Sequence, residues 1–289
     1  MPDTPLDLAL YLERIGFAAE ARADLATLKR LVLLHAKAIP FENLDAFLGR
    51  GVSLDPAAVA GKLLRGKRGG WCFEQNLLLG NVLRELGYQV VDLAARVVWN
   101  RPADVVTART HRLLRVTTDG RDWLVDVGFG GQTLTGVLEL ESEAAQPTPH
   151  EPFRLRRVRA ERILESQIRG EWQPLCRFDL QPQLAVDFEA ANYQLAHDPA
   201  SHFTQGLIVS RAVSEGRHVL SGHPLHGVEL VFHPTGGESQ REVLGTSAAI
   251  MQAMRDLFAL PVEDLPGLRE RLERLLSAVQ AGTGSAARS

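Results

Sequence analysis

Cys72 follows Gly69-Gly70-Trp71 and opens an apolar, helix-like run from Phe73 to Leu86. A cysteine at a helix N-terminus meets the positive end of the dipole, which favours thiolate over thiol. Two glycines before it permit a tight turn and a close backbone approach. A thiolate so placed is a nucleophile that needs a base. His111 lies 39 residues further on, and Asp126 another 15. Together they read as a Cys-His-Asp triad. Imidazole takes the thiol proton, and the carboxylate holds the ring in one tautomer and favours its charged form. The product of attack is a thioester on Cys72, so the reaction class is acyl transfer or hydrolysis.

The triad carries a geometric condition. Asp119-Gly120 separates two strand-like runs, His111–Thr117 and Arg121–Val127, and is a strong hairpin signal. A two-residue turn there pairs Thr118 with Arg121, and Asp126 then faces Leu113. Leu113 and His111 share a strand face, which makes His111 and Asp126 diagonal neighbours about 7–8 Å apart at the backbone. A bulge or one-residue slip inside this hairpin breaks the argument. Asp126 also lies in the apolar run Trp123-Leu124-Val125-Asp126-Val127, where a carboxylate without a partner is costly.

Other chemistry-bearing residues have weaker contexts. Cys176 reads as a small buried hydrophobe. His223 and His226 lack the further ligands of a metal site and read as structural, so no metal is expected. Arg154, Arg156, Arg157, Arg159 and Arg162 read as a solvated strand face.

The elements that position the triad follow from periodicity. Leu6–Ile15, Leu25–His35 and Leu54–Leu64 read as helices, the third with Asp55 as N-cap and Pro56 at its first position. Gly87 closes the helix that Cys72 opens. Strand-like runs follow at Gln89–Trp99, in the hairpin, and at Phe153–Val158, Arg162–Ile168 and Leu175–Leu180. They read as an antiparallel barrel or curled sheet. Asn192–Phe203 reads as a linker. Beyond it come strands at Gly206–Val213, His218–Leu220 and Gly227–Phe232, then helices at Thr246–Phe258 and Pro266–Gln280. Gly282–Ser289 reads as disordered.

Bulk properties exclude several classes. The 289 residues carry a formal net charge of -3, which supplies no electrostatic pull towards nucleic acid or a membrane surface. Met1–Pro5 shows no secretory signal pattern, and no run approaches the roughly 18 apolar residues of a membrane span. Two cysteines make no disulfide framework, so a reducing cytoplasm is the expected compartment.

With the triad placed, the chain resembles the arylamine N-acetyltransferase family. The resemblance rests on Ile39-Pro40-Phe41-Glu42-Asn43-Leu44, Arg68-Gly69-Gly70-Trp71-Cys72, Thr110-His111 and Asp126-Val127-Gly128-Phe129-Gly130, in order and spacing. Pro199, Ser201 and Phe203 extend it more weakly. It implies an α+β fold: a helical bundle (1–88), a β-barrel (89–203) and an α/β lid (204–289), with a papain-like triad arrangement. It implies a ping-pong reaction in which acetyl-CoA acetylates Cys72 and an aromatic amine or hydrazine takes the acetyl group. It places Phe41, Phe129 and Phe203 in the acceptor pocket, Thr107, Gly130 and Ser201 at CoA, and Arg68 with Glu42 in an ion pair bracing the nucleophile loop. Where the family has a Thr-Gly pair before the histidine, this chain has Thr107-Ala108.

Three competing readings share these residues. One is an amide synthase that closes a macrolactam from a carrier-bound polyketide. A second is a hydrolase or transglutaminase-like enzyme acting on peptide amides, although papain-like proteases place their histidine much further from the cysteine. The third is a binding protein with a dead triad. Acceptor identity, acyl preference and oligomeric state stay open.

Overall fold

The computed structural model describes residues 7–102, 104–263 and 265–286. The Met1–Pro5 stretch and the last residues, 287–289, lie outside that description. Helix α1 (Leu8–Ile15) starts on Asp7, whose carboxylate accepts from the Leu10 N–H at 3.0 Å. Helix α2 (Leu25–Ala38) starts on Asp24, which accepts from the Thr27 N–H at 2.7 Å. Two short elements follow, β1 (Phe41–Glu42) and α3 (Leu44–Phe47). Asp55 caps α4 (Pro56–Ala60), but the helix expected to run on to Leu64 widens into a π-helical turn, Gly61–Arg65. That turn carries Lys62, whose ammonium reaches Asp45 at 2.7 Å and Glu74 at 2.8 Å. Helix α5 (Cys72–Glu85) is buried over most of its length, and Gly87 (φ +92°) turns the chain out of it.

The next strands are β2 (Gln89–Val97), β3 (Arg109–Thr118), β4 (Arg121–Val125), β5 (Leu138–Glu139), β6 (Phe153–Val158), β7 (Glu161–Ile168) and β8 (Glu171–Phe178). They form one antiparallel sheet in the order β5-β4-β3-β2-β8-β7-β6. A bridge between Gln146 and Phe153 brings the chain after β5 back to β6, so the sheet nearly closes into a barrel. Strands β2, β3 and β4 are buried on both faces. Leu93, Leu113 and Leu124 pack into the barrel interior, while Ala94, Leu114, Trp123 and Val125 pack in the same core as α5. This accounts for the nearly continuous apolar runs there.

Asp119 and Gly120 both have positive φ (51° and 71°), as a type I′ turn requires. The hairpin keeps the expected register from Thr118↔Arg121 to Leu114↔Val125. Pairing stops there, so Asp126 is not a ladder partner of Leu113. It leaves the strand and reaches His111 from the loop. A bulge does occur on β3, but on its other edge, where Ala95↔His111 is followed by Arg96↔Arg109.

The arginine cluster is not a simply solvated face. Arg154 and Arg156 pair with Glu165 at 2.6 and 3.3 Å, and Arg157 and Arg162 pair with Glu141 at 2.6 and 2.5 Å. Arg162 is buried.

The stretch expected as a linker is ordered. It contains most of α6 (Glu189–His197) and the start of α7 (His202–Gln205). Its polar residues fasten the chain: the Asn192 amide donates to Val52 O at 2.8 Å, and Thr204 Oγ1 donates to Asp198 O at 2.8 Å. The expected 203/204 boundary therefore cuts a helix.

Strands β9 (Leu207–Val213), β10 (Gly216–His223), β11 (Gly227–Pro234) and β12 (Gln240–Val243) form a second sheet, with β1 added beside β9. Its apolar face packs on α8 (Ser247–Asp256) and α9 (Leu268–Ala286) through Leu220, Ile250, Met254, Leu272 and Leu275. Helix α9 continues to Ala286, where the sequence suggested disorder from Gly282. No helix among the described residues is long and apolar enough to cross a membrane.

Candidate active site

Cys72 is the first residue of α5 and is 7 % exposed. The start of that helix is held by Glu74, whose carboxylate accepts from the Trp71 N–H at 3.1 Å. Cys72 Sγ lies 3.7 Å from Thr110 O, the carbonyl at the β3 bulge. The bulge lies immediately before His111. His111 Nε2 is 2.6 Å from Asp126 Oδ2, and the Cys72 sulfur lies close enough to the ring to favour its charged form. With Nε2 committed to Asp126, Nδ1 is the nitrogen left for the thiol.

His111 and Asp126 are 3 % and 0 % exposed in side chain. Burial by itself pushes the imidazole pKa down. The Asp126 carboxylate, followed by the Cys72 sulfur, outweighs burial and raises it to about 10. Asp126 accepts further hydrogen bonds at Oδ1, from Asn76 Nδ2 and from the Gly128 N–H, each at 3.0 Å. A side chain at Gly128 would meet Cys72 Cα at 2.6 Å, so the Asp126 loop packs against α5 only through a residue without Cβ.

A charged cluster sits behind the loop that carries Cys72. Arg68 pairs with Glu42 at 2.7 Å, the ion pair the resemblance implied. Lys62 joins it through Asp45 and Glu74. Burial opposes the Lys62 charge, but Glu42, Glu74 and Asp45 together hold its pKa above the usual lysine range. Burial, only partly offset by Lys62, raises Glu74.

Cys72 and His111 open on a cavity of about 330 Å³. Phe41, Phe129, Phe203 and Gly130 all line it. Phe129 packs edge-on against the His111 ring at 5.2 Å between centroids, and Phe41 lies 6.2 Å from Phe203. Thr107 and Ser201 do not line it. Thr107 Oγ1 donates to Val97 O at 2.9 Å, while Ser201 caps α7 by accepting from the Phe203 N–H at 3.3 Å. Their hydroxyls are used by local structure.

Sequence reasoning missed Trp99, Gln132, His202 and His233, which also line the cavity. They come from two turns, the start of α7 and strand β11, and no local pattern joins them. Asn76 was missed too, although four residues after Cys72 is one helical turn. A larger cleft of about 700 Å³ adjoins the cavity, sharing Trp99, Gln132 and His233, and contains Arg169, Arg217 and Arg241. Cys176 is fully buried in the barrel core, where burial raises its pKa. His223 and His226 stack on one another at 5.3 Å. Among the described residues, no group of three or more His, Cys, Asp or Glu is placed to hold a metal ion.

These features carry the chain into a defined class. A family model described as N-acetyltransferase matches residues 24–265. An arylamine N-acetyltransferase of Mycolicibacterium smegmatis is 42 % identical over 266 residues, covering 91 % of this chain and 94 % of the relative. An arylamine N-acetyltransferase / N-hydroxyarylamine O-acetyltransferase of Salmonella typhimurium is 42 % identical over 265 residues, 89 % and 90 % of the two chains. The solved structure of Mycobacterium marinum arylamine N-acetyltransferase in complex with CoA superposes with a TM-score of 0.88 at 38 % identity, covering 93 % of this chain and 99 % of that one. The chain belongs to the arylamine N-acetyltransferase family.

Proposed function

We propose that this protein moves an acetyl group from acetyl-CoA to the nitrogen of an arylamine or arylhydrazine through a thioester on Cys72. The observation that carries this reading is the buried His111 imidazole, paired with Asp126 and lining the same aromatic-walled cavity as Cys72. The Cys72 proton passes to His111 Nδ1, and Sγ attacks the acetyl carbonyl carbon. The bond from that carbon to the CoA sulfur breaks, and CoA leaves with the proton from His111. The amine nitrogen then attacks the thioester, His111 takes its proton, and the carbon–Sγ bond breaks. Asp126 keeps the imidazole oriented and stabilises its charged form throughout.

An aromatic amine is neutral and nucleophilic near pH 7, so an apolar pocket can hold its ring without a countercharge. The volume of about 330 Å³ suits one or two rings better than a carrier-bound polyketide. The adjoining arginine-bearing cleft suits the phosphates of CoA, with Trp99, Gln132 and His233 at the junction. Cys72 stays available as a thiol in a reducing compartment such as the cytoplasm.

The test is the intact mass after incubation with acetyl-CoA and no acceptor, followed by peptide mapping. An acetyl group on Cys72 that an aromatic amine or hydrazine discharges supports the whole sequence of steps. No adduct on a rapidly alkylated Cys72 moves the donor away from acetyl-CoA, towards the amide synthase. A sluggish Cys72 without adduct indicates a dead triad.

A further inference from the structure

A second polar constellation lies behind the site, among residues that touch neither thiol nor cavity. Tyr11, His35 and Gln75 are 0 %, 0 % and 1 % exposed. Tyr11 Oη is 3.1 Å from His35 Nδ1, and His35 Nε2 is 3.0 Å from Gln75 Oε1. Gln75 Nε2 donates to Pro40 O at 3.2 Å and to Gly70 O at 2.9 Å. The directions are fixed by inventory. The Gln75 amide spends both protons on the two carbonyls, so its oxygen must accept. His35 therefore carries its proton on Nε2, and Nδ1 accepts from the Tyr11 hydroxyl.

The two carbonyls at the end of this chain bound the site. Gly70 lies two residues before Cys72, and Pro40 precedes Phe41, which lines the cavity. The two backbones are already close: Gly70 N–H donates to Pro40 O at 3.3 Å, and Glu42 N–H donates to Gly70 O at 3.1 Å. A Cβ on Gly69 would lie 2.2 Å from Pro40 O. The seam leaves no room for another side chain, and the Gln75 amide clamps both of its edges.

We infer that Gln75, oriented by His35 and Tyr11, is a positioning residue that fixes the nucleophile loop against the Phe41 segment and so sets the distance between the Cys72 thioester and the acceptor ring. The inference rests on Cys72 being the nucleophile. An apolar residue of Gln75's size would fill the same volume and bury no amide. The amide is what ties α5, α2 and the Pro40–Phe41 segment into one unit, since each of its groups has a partner.

Gln75→Met retains most of the volume and removes the clamp, and Tyr11→Phe removes only the hydroxyl furthest from the site. Two rates are read per folded molecule: iodoacetamide alkylation of Cys72, and discharge of the acetyl-enzyme by an aromatic amine. For Gln75→Met we expect discharge to slow about tenfold or more, with a raised acceptor KM, because small misplacements of reacting atoms cost large factors in rate. Tyr11→Phe should shift the same parameters in the same direction by a smaller factor. Wild-type discharge and acceptor KM in a folded Gln75→Met enzyme, or in Tyr11→Phe if Gln75→Met does not fold, overturn the inference. Cys72→Ala tests the nucleophile separately: if that variant still forms an acetyl-enzyme, the reading of Cys72 fails, whatever the Gln75 result.

Discussion

Asn76 Nδ2 lies 3.0 Å from Asp126 Oδ1, while its own side-chain oxygen accepts from the Val127 N–H at 3.1 Å. The same amide donates to Arg112 O at 2.6 Å. One fully buried side chain on the nucleophile helix thus holds the carboxylate, its loop, and the strand residue after His111. Cys72 and Asp126 are 54 positions apart in the chain, and this amide fixes their relation.

Replacing Asn76 is therefore expected to disturb the triad from behind. Asn76→Ala leaves the Val127 N–H and Arg112 C=O buried without this partner, at about 1–3 kcal/mol for each such group. Asn76→Asp sets a second carboxylate against Asp126 and should reduce acetylation of Cys72 further than the alanine variant does. Thermal unfolding and single-turnover acetylation measure the two effects separately. Wild-type acetylation in Asn76→Asp would contradict the bracing role.

Asp126→Asn removes the charge that most raises the His111 pKa. His111 is protonated more readily in the fold, at about 10, than in the unfolded chain, near 6.5. Its contribution to stability is complete below about pH 6.5 and disappears as pH rises through about 10. In Asp126→Asn that alkaline loss should move to lower pH. The urea midpoint, followed from pH 6 to 11, gives the check. An unmoved alkaline loss would mean that Asp126 does not set the charge of His111.

His35 has the opposite sign. Burial, with a smaller contribution from Arg14, lowers its pKa to about 3, against partial support from Gln75. The fold holds it neutral, so its stabilising contribution is present above about pH 6.5 and is lost as pH falls towards 3. That loss approaches about 1.4 kcal/mol per pH unit once the unfolded histidine is mostly protonated. His35→Phe should be less stable at pH 7 yet show a shallower decline in urea midpoint between pH 6.5 and 4. An identical slope would assign the acid sensitivity to other groups.

Arg169 lies in the cleft beside the Cys72 cavity and donates to Ser239 Oγ at 3.1 Å. Arg169→Glu reverses charge where we place the CoA phosphates. The KM for acetyl-CoA should rise about tenfold at low salt and approach the wild-type value as salt is added, because screening weakens exposed charges. Acceptor KM should stay unchanged. A salt-independent, unaltered acetyl-CoA KM would move the phosphates elsewhere.

Much of the site was legible because its signals are local. Asp55 and Pro56 start a helix by chemistry within four residues, and Asp119-Gly120 fixes a strand register over the following turn of chain. That register brings Asp126 near His111, and the tight turn before Cys72 places the thiol at a helix start. The same local reading failed at Asn192–Phe203, where polar side chains cap and bridge helices instead of meeting solvent.

The sequence by itself thus singled out Cys72, His111 and Asp126 as one group, and it set the hairpin register that ends one residue before Asp126. The tertiary structure decided what surrounds them. Phe41, Phe203 and Val219 meet in one cavity although they lie far apart in the chain, and Asn43 ties the segment between β1 and α3 to the two ends of α7 by donating to Phe203 O and Gly206 O at 2.8 Å. Lys62 joins the carboxylates behind the nucleophile loop, and Gln75 clamps Pro40 to Gly70, only once the helices have packed. Turn and cap signals act through bonds a few residues long. A cavity wall or a buried ion cluster instead depends on which distant surfaces the chain buries together, and no local pattern records that choice.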